Sequence, residues 1–299
     1  MFKYLTDSER AGLKPAMIQR TRDAYASLPP VNELIAAALA GAGKRGWYAD
    51  SRAAIVAQYG GDAPRFAALL AALSPQCSVG TNLYNARNTF GNWIQAGRPQ
   101  TRVAILRIMA DSVQGSNKSA SILPAWINNA VRALTCENPE ALTLSGPKVN
   151  AFMRNLQGDT GAVTLDAWMA RFAGLDAKRL GGSGRINQRN ALYLAYSAKI
   201  RAAAKLLGWA PAEVQESIWS WTKAAYEYGE SIRALASIAE CVADGAIDAG
   251  LIAKIQGFAE LLTHRVPLSV QYPYVPPNLK RLARVARRLD AVLNRSKEP

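Results

Sequence analysis

Apolar residues recur at helical spacing along most of the chain. In residues 34–39, 66–73 and 200–207 the large apolar side chains fall on one face of a predicted helix. Alanine is abundant in these segments, and it favours helix and lets neighbouring helices approach closely. The pattern therefore predicts an all-α protein of about a dozen helices.

Proline and glycine predict where several of these helices begin and end. Leu28-Pro29-Pro30 separates two of them, Gly60–Pro64 ends one and starts the next, and Gly97-Arg98-Pro99 ends another. Ala210-Pro211 predicts a further start, since proline suits the first turn of a helix. We expect two connecting segments, at 114–121 and 178–190; the second carries a Gly181-Gly182-Ser183-Gly184 core.

The charge of the chain points to nucleic acid as its partner. The 299 residues carry a net charge of +14 and give a pI near 9.9. A single histidine and three scattered cysteines argue against histidine-rich zinc sites, Ser-His-Asp catalysis and iron–sulfur clusters, and we expect no metal or cofactor. No apolar run reaches the roughly 18 residues of a membrane span, and the first ten residues are polar. We expect a cytoplasmic monomer, associated with the nucleoid when bound to DNA.

The most specific pattern is Leu142-Thr143-Leu144-Ser145-Gly146-Pro147-Lys148, followed by Asp166 eighteen residues after the lysine. This pattern resembles the helix-hairpin-helix DNA glycosylase superfamily, the endonuclease III-like enzymes. Those enzymes have a hairpin that ends in Gly-x-Lys and an Asp at this distance from the lysine. Upstream, Leu73-Ser74-Pro75-Gln76 followed by Val79 and Asn82 is similar to the Leu-Ser-x-Gln…Val-Asn segment of the same family. The resemblance covers roughly residues 55–225.

The resemblance implies a DNA glycosylase that flips a base out of the duplex and excises it, with or without AP lyase activity. Breaking the N-glycosidic bond builds positive charge on the sugar, which the carboxylate of Asp166 would stabilise. The amine of Lys148 would attack C1′ if its pKa were lowered. Each residue also has a simpler interpretation: Asp166 as a helix N-cap, and Lys148 as a phosphate contact or a solvated lysine.

Other site residues follow from the same resemblance. Gln76 would fill the gap left by the flipped base, or it is an ordinary polar loop residue. Ser145 and Gly146 of the hairpin would contact DNA, and Trp168 and Asn150 are candidates for the base pocket. The sequence departs from the family at Leu144, where a hairpin glycine is usual, and at Trp168, where many members have histidine.

Basic residues outside the motifs are further DNA-binding candidates. Arg185 flanks the glycine-rich segment, which would otherwise be a solvated linker. Arg284 and Arg288 lie in a basic terminal helix, predicted over 278–299, whose apolar stripe would dock on the body of the protein. A membrane surface or solvent is the alternative environment for this helix; we expect DNA and no membrane.

We therefore predict a two-lobed all-α fold with a cleft. One lobe would comprise residues 57–160 and end in the helix-hairpin-helix, the other residues 1–56 with 161–225, and residues 226–299 would form a helical extension. The predicted function is excision of a damaged or modified base from double-stranded DNA, in repair or in defence against modified foreign DNA such as that of phages. The alternatives are a non-catalytic DNA-binding protein of the same fold and a base-modifying transferase.

Overall fold

The computed structural model describes residues 1–113, 122–181 and 186–223, and every regular element in these ranges is a helix. Short 3-10 turns cover Phe2–Tyr4, Ala42–Lys44 and Gly60–Asp62. The α-helices are α1 (Asp7–Ala11), α2 (Pro15–Ser27), α3 (Val31–Ala40), α4 (Trp47–Tyr59), α5 (Ala63–Ala72), α6 (Val79–Gln95), α7 (Arg102–Ser112), α8 (Pro124–Thr135), α9 (Pro147–Leu156), α10 (Ala167–Phe172), α11 (Lys178–Gly181), α12 (Ile186–Leu207) and α13, which begins at residue 211 and is described to residue 223. The all-α prediction is confirmed for the described residues.

The proline and glycine signals mark real helix boundaries. α2 ends before Pro29 and α3 starts after Pro30; α5 begins one residue before Pro64, and α13 begins at Pro211. After α6 the chain turns through Gly97 and Arg98, which both have positive φ. Because proline lacks a backbone N–H and glycine adopts a positive φ without strain, such residues end and restart helices by local chemistry alone.

The predicted connection over 178–190 is wrong in its extent. α11 occupies Lys178–Gly181 and α12 begins at Ile186, so both flanks of the glycine-rich core are helical. Asp176 starts α11 by accepting a hydrogen bond from the backbone N–H of Lys178 at 2.9 Å. The aspartate side chain thus starts a short helix where the neighbouring glycines predicted a connecting segment.

The buried residues form two hydrophobic clusters. The first includes Phe66, Phe90, Trp93, Trp126 and Met153 and is built mainly from α5 to α9. The second includes Leu34, Met169, Tyr196 and Ile218, from α3, α10, α12 and α13. α4 packs against α5 and α9 and contributes Tyr48 and Ile55 to the first cluster. The lobe boundaries drawn from the sequence remain a prediction.

The link between α9 and α10 is fixed by one buried amide. Asn155 donates through Nδ2 to the carbonyl oxygens of Asp159 (2.8 Å) and Ala162 (3.0 Å), and its Oδ1 accepts from the hydroxyl of Thr164 at 2.7 Å. All of this is local to the segment that leads to Asp166. Asn155 therefore braces the part of the chain that links Lys148 in α9 to Asp166.

α12 anchors the N-terminal helices through a buried lysine. Nζ of Lys199 donates to the carbonyl oxygens of Leu28 (2.6 Å) and Pro29 (2.9 Å), in the turn between α2 and α3. A buried ammonium needs such acceptors, because leaving it without partners is costly. None of the helices in the described ranges has both the length and the apolar character needed to cross a membrane.

Gly41 provides a test of how α3 meets α13. A Cβ on this residue would lie 2.6 Å from the carbonyl carbon of Ser217, whereas a Cβ on Gly43 would meet nothing within 4 Å. We expect Gly41→Ala to lower the free energy of unfolding by about 1–3 kcal/mol, because neither backbone can yield easily. Urea unfolding followed by circular dichroism measures the change.

Gly43→Ala is the matched control, since it adds the same methyl group two residues away on an exposed site. It should change the free energy of unfolding by less than about 0.5 kcal/mol. Equal stabilities of the two variants would show that α3 and α13 do not approach closely at Gly41.

Candidate functional site

Lys148 lies in the first turn of α9 and points towards the end of α5. Its Nζ donates to the hydroxyl of the buried Ser74 at 2.7 Å and stands 5.7 Å from the centre of the Phe152 ring. Ser74 belongs to the Leu-Ser-x-Gln segment, which is 74 residues away in sequence. The two segments that resemble the glycosylase family are therefore in direct contact through this lysine.

The loop that carries Gln76 is held open to solvent. Gln76 is exposed and has a φ of +60°, a left-handed conformation that is uncommon for residues other than glycine. The loop is kept in place by the indole of Trp126, whose Nε1 donates to the carbonyl oxygen of Pro75 at 2.9 Å. Strained residues of this kind persist only where the surrounding structure fixes them, and they concentrate at functional sites.

Two asparagine side chains hold the hairpin that precedes α9. α8 ends at Thr135, and residues 136–146 run without helix to Gly146, whose φ of +91° requires glycine. Asn129 holds this segment by two bonds: its Oδ1 accepts from the backbone N–H of Ser145 (2.8 Å) and its Nδ2 donates to the Ser145 carbonyl (2.9 Å). The Oδ1 of Asn150 accepts from the N–H of Leu144 at 2.9 Å.

Asp166 is the N-cap of α10, as its position before an apolar helix suggested. Its Oδ1 accepts from the backbone N–H groups of Trp168 (2.9 Å) and Met169 (3.2 Å). Its Oδ2 accepts from the indole Nε1 of Trp219 in α13 at 2.8 Å. Three N–H donors on the two oxygens fix the orientation of the carboxylate.

Lys148 and Asp166 act on each other through space. They form no direct ion pair, although both lie in the described part of the chain and the attraction of Asp166 is felt at the amine. Burial lowers the pKa of Lys148, while Asp166 and the thiolate form of Cys77 act in the opposite direction. The net effect is a lower pKa and hence more neutral, nucleophilic amine at a given pH.

Three buried tyrosines share the electrostatic environment of Asp166. Burial raises the pKa of Tyr48, Tyr193 and Tyr196, and the charge of Asp166 raises each further. Their hydroxyls therefore remain protonated and serve as donors: that of Tyr193 donates to the carbonyl of Val163 (2.7 Å) and accepts from the N–H of Leu165 (3.1 Å). The backbone just before Asp166 is thus fixed by a phenol from α12.

A second buried carboxylate joins α13 to the start of α4. Glu216 of α13 accepts from the backbone N–H groups of Gly46 and Tyr48, at the start of α4, and burial raises its pKa. The hydroxyl of Tyr48 donates to Oε1 of Gln215 at 2.8 Å. Because Trp219 lies one turn beyond Gln215, α13 supports Asp166 and also binds α4. The described residues contain no group of three or more side chains that would hold a metal ion.

The chain matches a family of unknown function, DUF7178, over residues 35–225. It belongs to that family. Comparison with curated proteins and with solved structures found no match. The matched region contains Ser74, Lys148, Asp166 and Trp219, so the contacts of the site described above lie inside the DUF7178 region.

Not all predicted site residues of the DUF7178 region come together. The ring of Trp168 lies under the guanidinium of Arg171, 4.3 Å away, and the backbone N–H of Trp168 donates to Asp166. Asn150 braces the hairpin with its side-chain oxygen. The roles of these two residues in a base pocket remain predictions, and Arg185, Arg284 and Arg288 lie outside the described residues.

Sequence reasoning missed three residues that shape the site. Ser74 lies in the Leu-Ser-x-Gln segment, for which the sequence predicts no role of the serine, and Trp219 and Asn129 belong to no predicted motif. Trp219 lies 53 residues from its partner and Ser74 lies 74 residues from its partner. The spacing of residues along the sequence does not predict contacts between such distant positions. Only the place of Ser74 inside the Leu-Ser-x-Gln segment indicated that it lies near the site.

The electrostatics of the site predict the titration of Lys148. In protein whose lysines carry ¹³C-methyl groups, the NMR signal of Lys148 should titrate with a lower midpoint than in the urea-unfolded chain, because burial disfavours the ammonium form. Asp166→Asn should lower the midpoint further, since it removes an attraction that favours the charged amine. A midpoint equal to that of the unfolded chain, or one indifferent to Asp166→Asn, would contradict this description.

Proposed function

We propose that this protein is a DNA glycosylase that flips a damaged or modified base out of double-stranded DNA and excises it, with Lys148 as nucleophile and Asp166 as the stabilising carboxylate. Lys148 as nucleophile also gives it AP lyase activity. The proposal rests on the sequence resemblance and on one structural observation. An amine with a lowered pKa and an oriented carboxylate share a site without neutralising each other by direct contact.

The separation of the two groups is what the chemistry requires. A lysine and an aspartate in direct contact would form an ion pair, which would hold the amine protonated and occupy the carboxylate. Here Ser74 holds the amine and Trp219 holds the carboxylate. A reacting sugar carbon between them would meet a nucleophile on one side and a negative charge on the other.

The reaction then proceeds in balanced steps. The duplex is opened at one nucleotide, because C1′ cannot be reached inside the stack. The neutral amine of Lys148 attacks C1′, and the glycosidic bond breaks with its electron pair leaving on the base, which takes up a proton. Asp166 stabilises the positive charge on the sugar and accepts the proton that the amine loses. O4′ takes up the proton held by Asp166 as the sugar ring opens to a protonated Schiff base. Loss of a C2′ proton to water then expels the 3′-phosphate and cleaves the strand.

Gln76 and the hairpin are the proposed DNA contacts beside this centre. An exposed side chain on a fixed loop, one residue beyond the Pro75 that Trp126 holds, suits insertion into the space of the flipped base. In the hairpin, the N–H groups of Leu144 and Ser145 are already bonded to side-chain amides. A phosphate contact by the backbone would therefore use Gly146 and the first turn of α9.

The carboxylate is tested by Asp166→Asn on duplexes that each carry one modified base. Asparagine keeps the size and, through its one oxygen, the bonds that cap α10, but it loses the charge and the acceptor for Trp219. DNA affinity should therefore persist while base release falls by about two to three orders of magnitude. Release is measured as abasic sites plus strand breaks, and affinity by filter binding.

Asp176→Asn is the matched control, because Asp176 likewise accepts a backbone N–H at a helix start and lies outside the site. It should release bases at the wild-type rate. Wild-type release by Asp166→Asn on a confirmed substrate would show that the proposed mechanism is wrong.

The nucleophile is tested by trapping. Borohydride present during turnover should reduce the Schiff base and leave the wild-type protein covalently attached to DNA, whereas Lys148→Gln should give no adduct. Lys205→Gln, an exposed lysine of α12, should be trapped like the wild type. Base release without any wild-type adduct would assign the attack to water, and Lys148 would then serve only to bind DNA.

A further inference from the structure

A concave site lies beside α9, on a different face of this helix from the one that carries Lys148. It is a cavity of about 460 Å³ between the segment that joins α1 to α2, the outer face of α9 and the middle of α12. α9 contributes Pro147, Asn150, Ala151 and Arg154, which recur at helical spacing, whereas Lys148 and Phe152 lie on the neighbouring face. Lys148 and Asp166 therefore do not line the cavity, although Val163 and Tyr193, which lie close to Asp166, do.

The inner part of this cavity is apolar with a few polar groups. Its walls include the buried side chains of Met17, Ala151 and Val163. Two buried polar residues of α12, Tyr193 and Ser197, also line it. Apolar walls with a small number of placed polar groups are typical of sites for small organic ligands, and the volume falls in the usual range of roughly 300–1,000 Å³.

Positive charge dominates the polar part of the lining. The four ionisable side chains with a charge at neutral pH are Lys14, Arg154, Arg201 and Glu9. Glu9 is fully engaged: its two oxygens accept from the guanidinium of Arg201 at 2.6 and 3.0 Å, and one of them also accepts from the backbone N–H of Thr6. Arg201 is thereby fixed and its charge is balanced inside the cavity.

Two cations remain at the mouth. Lys14 is exposed, and no carboxylate of the described residues lies within ion-pair distance of it. Arg154 pairs with Asp159, but about half of its side chain is exposed, and a guanidinium has five N–H donors, more than one carboxylate uses. An anion at the mouth would gain bonds from both residues while the remainder of the ligand entered the apolar part.

We propose that this cavity binds the phosphate of a nucleotide, with the phosphate between Lys14 and Arg154 and the nucleoside against the walls formed by α9 and α12. The phosphate can belong to a free mononucleotide or to a nucleotide in a DNA strand. Lys148, Asp166 and Gln76 do not line the cavity, whereas Asn150, a base-pocket candidate, does. The inference concerns binding of a phosphate and does not depend on the base-excision reaction.

The test measures binding by the full-length protein. Isothermal titration calorimetry is carried out with inorganic phosphate and with the four 2′-deoxynucleoside 5′-monophosphates, and fluorescence anisotropy with an unmodified duplex. Arg154→Gln and Lys14→Gln remove the two mouth cations. Arg107→Gln, on the exposed side of α7, removes the same charge elsewhere and is the matched control. Circular dichroism establishes that each variant is folded.

We expect a monophosphate to bind more tightly than inorganic phosphate, and each mouth variant to weaken its binding about tenfold, as the loss of a charge-assisted hydrogen bond does. Arg107→Gln should leave this binding unchanged. If only the duplex binds, and both mouth variants weaken it more than Arg107→Gln does, the phosphate is that of DNA. Absence of binding by all ligands, or equal weakening by the three variants, overturns the proposal. Base release plays no part in these measurements, so they fail or succeed independently of the proposed reaction.

Discussion

The geometry of the site depends on two hydrogen bonds between Asn129 and the backbone of Ser145. Residues 136–146 form no helix, and they lead directly into the first turn of α9, which carries Lys148. Asn129 holds the end of this segment by accepting the N–H of Ser145 and donating to its carbonyl, and Asn150 holds Leu144 beside it. α8 also holds the opposite loop through Trp126, so one helix positions both parts that meet at Lys148.

The amine of Lys148 and the carboxylate of Asp166 are held by different sections of the chain. Ser74 restrains the amine from the end of α5, and Trp219 restrains the carboxylate from α13. Each restraint comes from a different hydrophobic cluster, since α5 contributes to the first cluster and α13 mainly to the second. The distance between the groups therefore responds to how the clusters pack on each other, and Asn155 limits that freedom by bonding the link between α9 and α10.

Local chemistry made part of this structure predictable. Pro30, Pro64 and Pro211 marked helix starts, because the effect of proline on the backbone does not depend on the rest of the fold. The N-cap role of Asp166 was also visible, from its place before an apolar run. The helix over Lys178–Gly181 was missed because a nearby glycine run suggested a connection. The supports of the site were not predictable, because Trp219, Ser74 and Asn129 meet their partners only after the chain has folded.

The observed role of Asp166 as a helix cap and its proposed role as a catalytic carboxylate place different constraints on related sequences. Capping α10 requires only a short side chain with an acceptor oxygen, which asparagine, serine and threonine also supply. Stabilising a cation requires a permanent negative charge. Under the proposed function, a DUF7178 chain that has kept the fold and lost the chemistry is free to carry asparagine, serine, threonine or aspartate at the equivalent position, whereas a chain that excises bases is held to aspartate. The proposed function therefore predicts that the residues at the positions of Asp166 and Lys148 vary together among members of the family.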